Sequence, residues 1–582
     1  MRYPQLKVQA ATRKTVDVFR GYNHNLRIGE GEFFDMQNLT SDHYPVLSPR
    51  KKRGLYAKPA SPQGLIAKDG LCYVDGSDFV MGTERFGLGL SVRAEDCPKQ
   101  LVSMGAYVII MPDRKYINTI DPEDRGQIDA VFTAGGEISF QLCTAEGGNY
   151  ENVTVSPAAP ENPENLQYWI DTSAQPHTLK QYAGASEQWV AVAATYVKIQ
   201  AAGIGENFKQ YDGVKLSGIT AEGAKELNGA AVVWARGDDY IVVTGILNAV
   251  QSQNGGVTVE RKMPVMDFVI ESGNRLWGCR YGESSTGETV NEIYASKLGD
   301  FRNWSCYMGI STDSYTASVG SDGPFTGAVN FLGYPMFFKE GCVHKVFGRY
   351  PASFQIQDTP CRGVQKDCHR SLAIVGETLF YKARSGICAF DGSLPVELSR
   401  ELGSENYSHA VGGAMGSKYY VSMKDAAGQW NLFVYDTARG MWHKEDDLHA
   451  AAFCACKGEL YCIDEENKNI ITMLGSGEPA GEKVKWMAQT GNLGIAAPDM
   501  KYLSALNLRL QLAKDSKLEI YAQYDLSDEW LHLCTMFGTD LRSFTVPIRP
   551  RRTDHFRLRF VGEGDAKLYA MTKTIGGGSD RS

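Results

Sequence analysis

Five arginines stand within the stretch RPRRTDHFRLRF, Arg549 to Phe560. A second basic run, Arg50, Lys51, Lys52 and Arg53 in SPRKKRG, lies near the other end of the chain. Guanidinium and ammonium groups at this density bind phosphate, or pair with the carboxylates of an adjacent subunit. In HFRLRF, Phe556, Leu558 and Phe560 alternate with Arg557 and Arg559. A strand has period two, so the apolar trio is expected to face a core and the two arginines to face outward. Arg549, Arg551 and Arg552 precede that strand around Pro550, which removes a donor and disfavours a central strand. They are expected in an extended loop. A nucleic-acid grip adds stacking aromatics to the arginine face, and here the strand's aromatics alternate to the other side. The loop arginines are therefore assigned to carboxylates, either Asp554 or acidic residues of a neighbouring subunit. Arg50, Lys51, Lys52, Arg53, Arg549, Arg551 and Arg552 are the candidate interface residues. The following VGEGDAKLYAM predicts a hairpin turn at Gly562 to Asp565 and a returning strand.

Other chemistry-bearing residues have plainer readings. Cys454, Cys456 and Cys462 in FCACKGELYC fit a small-residue core strand better than a metal site. Cys361, Cys368 and His369 in CRGVQKDCH match no standard ligand spacing. DEENKN, Asp464 to Asn469, lacks the central glycine and terminal glutamate of a calcium loop and reads as a solvated turn. ASKLGDFRNWS, Ala295 to Ser305, has the flavour of a sialidase aspartate box but the wrong spacing. The H-E-x-x-H, Walker and G-x-S-x-G signatures are missing, as is a paired C-x-x-C set. No catalytic, cofactor or metal residue is assigned, no cofactor is expected, and the chain is expected not to be an enzyme.

The elements that must position these residues are strands. Alternating runs broken by Gly, Asp and Asn dominate the 582 residues, which include 61 glycines. That is an all-β signature. A turn glycine, a short aromatic-rich strand, a polar turn and a second strand recur at Gly70, Gly105, Gly273, Gly333, Gly376, Gly416 and Gly458. The last four are about 40 residues apart, the period of propeller blades. Each hairpin has one apolar face that a ring of such units buries. The expectation is a β-propeller of about six to eight blades over residues 56–130 and 263–475, preceded by an extended arm, 1–55. The gap after Gly105 is filled by an inserted small β-barrel or sandwich, 131–262, since insertions at loop tips are tolerated. GSGEPAG, Gly475 to Gly481, reads as a flexible linker to a C-terminal β-sandwich, 482–575.

Composition narrows the setting. A net charge of −8 argues against a general polyanion binder. No apolar run reaches membrane-spanning length, so no membrane insertion is expected. The start of the chain has no apolar signal region, and a cytoplasmically made protein is expected. Thirteen cysteines, such as Cys72 and Cys388 in apolar runs, read as reduced, buried thiols.

Several stretches together resemble a known group. FRGYNHNLRIGEGEFFDMQNLTSDHYPVLSPRKKRG is similar to the start of bacteriophage tail proteins. NRLWGCRYGE…NEIYASKLGDFRNW and STDSYTASVGSDGPFTGAVNFLGYPMFFKEGCVHKVFG resemble the middle of phage β-propeller tail proteins, the packaged-DNA-stabilisation and tail-nozzle type. IGENFKQYDGVKLSG…ELNGAAVVWARGDDYIVVTG looks like their small β-domain. YDLSDEW…VPIRPRRTDHFRLRFVGEGDAKLYAM resembles a C-terminal sandwich of tail proteins from phages and prophages of Gram-positive bacteria. The resemblance implies a virion structural protein of the tail or head–tail junction. It would form a homo-oligomeric ring with adaptor and tail proteins as partners, close to packaged DNA, after assembly in the host cytoplasm. The alternative is a carbohydrate-binding adhesin or glycan-degrading protein at the tail tip. A cellular propeller scaffold fits the blades but not the two ends.

Overall fold

The computed structural model describes residues 11–92, 99–284, 287–479, 481–496, 498–525 and 527–577. Residues 1–10 of the expected arm and Ala480 of the expected linker lie outside them. The fold is all-β. Among the described residues, four short 3-10 turns are the helical elements.

Among the described residues, seven four-stranded antiparallel meanders of the propeller-blade type follow one another in sequence. Their first strands are Pro62–Ala67, Gln100–Met104, Phe268–Ser272, Gly327–Phe331, Ala373–Val375, Ser408–Met415 and Ala450–Cys456. Residues Leu71–Asp75 show why such segments form strands: all five are buried, between glycine-containing turns. At Gly76 the turn requires φ of +60°, which favours glycine. The final meander takes its fourth strand, Gly54–Ala57, from near the start of the chain. That exchange ties the N-terminal region to the last blade.

The chain divides into two compact units: Met1–Lys99 with Phe338–Val343 and Thr359–Ser582, and Gln100–Phe337 with His344–Asp358. In the first, neighbouring blades pack through Leu71, Tyr73, Val80, Ala451, Ile463 and Ile470. In the second, Met104, Ile109, Val269, Leu276, Phe301 and Trp304 form the equivalent layer. Trp304 is buried and donates its indole N–H to Phe301 O (2.8 Å), so ASKLGDFRNWS is a blade turn with a packed tryptophan.

The second unit also contains a β-domain from Ala130–Thr133 to Thr258–Arg261. Its two sheets enclose a core that includes Phe140, Val197, Ile199, Phe208, Ile241 and Val259. A small separate sheet, Val153–Ser156, Tyr168–Asp171, Thr178–Ala183 and Gln188–Ala191, is inserted in the chain between two strands of this domain, Glu137–Cys143 and Tyr196–Gln200.

The C-terminal module differs from a string of short hairpins. Lys501–Tyr524 is a single strand of 24 residues. Leu531–Val546 pairs with it along one side. Phe556–Glu563 and Ala566–Gly577 pair with its two halves along the other. The expected hairpin at Gly562 to Asp565 is therefore corrected. The two strands do not pair with each other; Gly564 and Asp565 form a kink in one long run. The long strand shifts register between Leu512 and Lys517, opposite that kink. Local geometry explains the glycines there: a Cβ on Gly538 would lie 2.3 Å from the Lys514 backbone oxygen, and Gly564 has φ of +82° with Ser516 Oγ 2.6 Å from where a Cβ would sit. Bends of this kind let one set of strands supply both layers of a sandwich. The sheet also continues through Glu32–Gln37 and Gly21–Tyr22 into the blade strand Met441–Lys444.

The reading of Gly475 to Gly481 as a flexible linker is also corrected. Glu478–Pro479 pairs with Gly54–Ala57. The buried Glu459 carboxylate accepts the amides of Leu474 (2.8 Å) and Ser476 (3.1 Å).

Candidate functional site

The N-terminal basic run splits by direction. Arg50 and Arg53 turn inward and their side chains are only 13% and 11% exposed. Arg53 pairs with Glu445 (2.9 Å) and Asp446 (2.8 Å), and Arg50 with Glu445 (3.4 Å) and Asp446 (3.2 Å). Arg50 Nε also donates to Asn38 Oδ1 (2.9 Å). Burial would raise the Asp446 carboxyl, but Arg53 and Arg50 outweigh it and hold the group below its usual range. Burial lowers Arg50, with like charge from Arg53 adding to it. Burial also opposes the charge on Arg53, but Asp446 and Glu445 overcome it and raise the group. The interface assignment is corrected for these two residues: their charge is already matched inside the chain, because folding brings Glu445 and Asp446 to them.

Lys51 and Lys52 remain at the surface. Lys52 lines a cleft of about 710 Å³ together with Lys58, Lys483 and Lys485, and with Asp464, Glu478 and Glu482 on the acidic side. Arg50 and Arg53 also line it. Lys483 donates to Asp515 O (2.8 Å), and Lys485 stands 3.7 Å from Glu482. Asp464 accepts the Glu466 amide (3.1 Å) and the Asn467 side chain (2.7 Å), so DEENKN is a self-bonded turn at the rim. The acidic residues and the lysine-rich rim give this cleft both signs of charge.

The C-terminal arginines occupy two environments. Phe556, Leu558 and Phe560 are buried, with Arg557 and Arg559 alternating between them. Arg549, Arg551 and Arg552 lie exposed in the preceding loop. Arg551 sits 6.0 Å from the Tyr524 ring, and the Asp554 carboxylate pairs with His555 (3.0 Å). The expected aromatic-free arginine face is corrected. Arg559 stacks 3.9 Å over Trp530 and donates to Gln489 Oε1, while Arg557 lies 5.2 Å from Phe34 and donates to Asn492 Oδ1. Both rings come from outside the arginine strand, which its own alternation does not reveal.

The remaining candidates are placed in packed surroundings. Cys456 and Cys462 are buried and Cys454 is half-buried; burial pushes the Cys454 thiol up to about 12. Cys368 Sγ accepts the Ala410 amide (3.4 Å). Burial, with Arg370 adding to it, lowers His369 to about 4. The first strands of the seven meanders carry one carboxylate, Glu271, whose Oε1 accepts the Asn274 amide (2.9 Å). Glycoside hydrolysis uses two carboxyl groups, so these strands alone do not build that pair.

No protein-family description matches the chain, and no curated protein does. Solved structures do. An exo-beta-1,3-galactanase from Phanerochaete chrysosporium, with bound beta-1,3-galactotriose, is 9% identical over 52% of this chain and 94% of its own, at TM-score 0.21. The Pyrococcus horikoshii acylaminoacyl peptidase is 8% identical over 54% and 55%, at TM-score 0.23. A puromycin-hydrolyzing peptidase of Mycobacterium tuberculosis is 10% identical over 68% and 56%, at TM-score 0.24. The expectation that the chain is not an enzyme is corrected against these neighbours, which are glycoside hydrolases and peptidases. At such TM-scores they transfer no activity or substrate to this chain.

Proposed function

We propose that this β-propeller chain is a building block of a phage tail or head–tail junction. It assembles with copies of itself and with neighbouring tail proteins in the virion. The sequence resemblance supports this reading, and the lysine-rimmed cleft is the observation that carries it. Lys52, Lys58, Lys483 and Lys485 line the cleft beside two arginines whose charge is already matched inside the chain. That arrangement leaves Lys52 and Lys58 above all to meet an acidic segment of an adjoining subunit, giving register and salt-sensitive encounter. Purified particles are expected to contain the chain at a fixed stoichiometry that is a multiple of the tail symmetry. Reversing Lys52, Lys58 and Lys485 to Glu is expected to reduce incorporation at least about tenfold, equivalent to about 1.4 kcal/mol. The isolated chain should remain folded, because these side chains lie outside the core. Absence of the parent chain from mature particles, or normal incorporation of the triple variant, defeats the proposal.

A second reading, a carbohydrate-binding or glycan-degrading tail protein, draws on the small inserted sheet. Trp189 is half-buried there, 5.3 Å from both Trp169 and Tyr182. Aromatic faces with a polar edge suit sugar rings. Lys180 and Asp171, joined at 2.9 Å, supply that edge. Binding to host polysaccharide should weaken about 30-fold in Trp189→Ala if this face is the platform. Equal retention of parent and variant by the polysaccharide removes it.

A further inference from the structure

The geometry points to a nucleophilic ester-hydrolysing site at Ser321, His344 and Asp358 in the second unit. Ser321 lies in the loop between Tyr315–Ser318 and Gly327–Phe331, His344 on Cys342–Phe347, and Asp358 on Gln355–Pro360. Ser321 Oγ is 2.8 Å from His344 Nε2. On the opposite side of the imidazole, Nδ1 stands 3.8 Å from Asp358 Oδ1. This is the order of contacts that nucleophilic acyl transfer requires: hydroxyl, base, and a carboxylate on the far side of the base. With the imidazole proton on Nδ1, the Ser321 hydroxyl donates to Nε2. The Asp358 side chain is 50% exposed, so it is free to close the remaining gap when substrate arrives.

The loop around the hydroxyl is built as a fixed support. Asn291 Nδ2 donates to Val319 O (2.9 Å) and Ser321 O (2.6 Å), pinning the backbone on both sides of Gly320. Among the described residues, the amides of Asp322 and Gly323 have no hydrogen-bond acceptor. The amide following the nucleophile is a common oxyanion donor in acyl-transfer sites. Gly323, at φ +84°, allows the loop to turn directly after it. Phe325, whose ring is 6.0 Å from the imidazole, gives the base an apolar neighbour.

The substrate class is a small carboxylic ester. Ser321 Oγ forms a bond to the carbonyl carbon while its proton passes to His344 Nε2. The tetrahedral oxyanion collapses, the bond to the leaving alkoxide breaks, and Nε2 returns the proton to it. Water then adds to the acyl-serine by the same route, releasing the carboxylic acid and restoring Ser321. Asp358 and Asn291 are positioning residues in this scheme.

The full chain is treated with a fluorophosphonate probe and digested for mass mapping, and p-nitrophenyl acetate hydrolysis is followed in parallel. A single phosphonyl adduct on the Ser321 peptide is expected, absent in Ser321→Ala, together with loss of the esterase rate. Asp358→Asn is expected to lower kcat at least about 100-fold with KM unchanged, a split that a purely structural carboxylate would not produce. Mapping on the parent protein decides the matter even if Ser321→Ala folds poorly. No adduct on Ser321 of the folded parent, or an esterase rate that survives in folded Ser321→Ala, overturns the inference.

Discussion

Arg53→Ala is expected to cost about 3–5 kcal/mol of folding stability, read as a fall in the urea midpoint. Arg53 makes the two shortest contacts of the set, to Glu445 and Asp446. Those carboxylates are only 8% and 14% exposed, so removing the guanidinium leaves one of them without its better partner in a desolvated place. Arg50 is less well aligned to Glu445, at 3.4 Å, and does not replace it. Lys51→Ala, in the same run but exposed, should change stability by no more than about 0.5 kcal/mol. Equal effects for the two variants would show that the inward–outward division is wrong. The set also predicts an acid limb. The Asp446 carboxyl is lowered in the folded chain, so its contribution is complete above the ordinary carboxylate pKa of about 3.9. It is lost as pH falls through the lowered folded value. The Arg53→Ala variant should therefore lose less stability over that acid interval than the parent.

Phe556→Ala should lower stability by about 3–5 kcal/mol, because a fully buried ring is removed and a cavity remains. Its ring lies 6.5 Å from that of Tyr524, on the long strand it pairs with, and its backbone bonds Leu493 on the other side. Collapse around the site is restricted by these two strands. Arg551→Ala, five residues earlier in the exposed loop, should stay within about 0.5 kcal/mol. Chemical unfolding of both variants against the parent separates the two halves of the arginine stretch. A small loss for Phe556→Ala would mean that this strand does not face a packed core.

The two predictions differ in how far the sequence leads to them. Alternation in HFRLRF is a local property, since successive side chains of a strand point to opposite faces. It therefore indicates which residues of Phe556–Phe560 are inside without knowledge of any partner strand. The same holds for the turn glycines, which mark the meanders through backbone sterics alone. The fate of Arg53 is not local. SPRKKRG contains no sign that two of its four cations are inside, because Glu445 and Asp446 lie almost 400 residues away in sequence. Trp530 over Arg559 and Phe34 beside Arg557 escape for the same reason.

Long-range pairing also decided the C-terminal architecture. VGEGDAKLYAM has the local chemistry of a hairpin turn, but Phe556–Glu563 and Ala566–Gly577 both find better continuation along Lys501–Tyr524. The Ser321, His344 and Asp358 constellation is spread over a loop and two strands, with no motif spacing to announce it. By itself the sequence determined an all-β chain, its blade-like meanders and the inner face of its last arginine-bearing strand. These depend on side-chain period and backbone torsion within a few residues. Only the tertiary structure decided which cations are neutralised, which strands continue one another and which side chains meet around Ser321, because each rests on contacts between segments that chain order keeps apart.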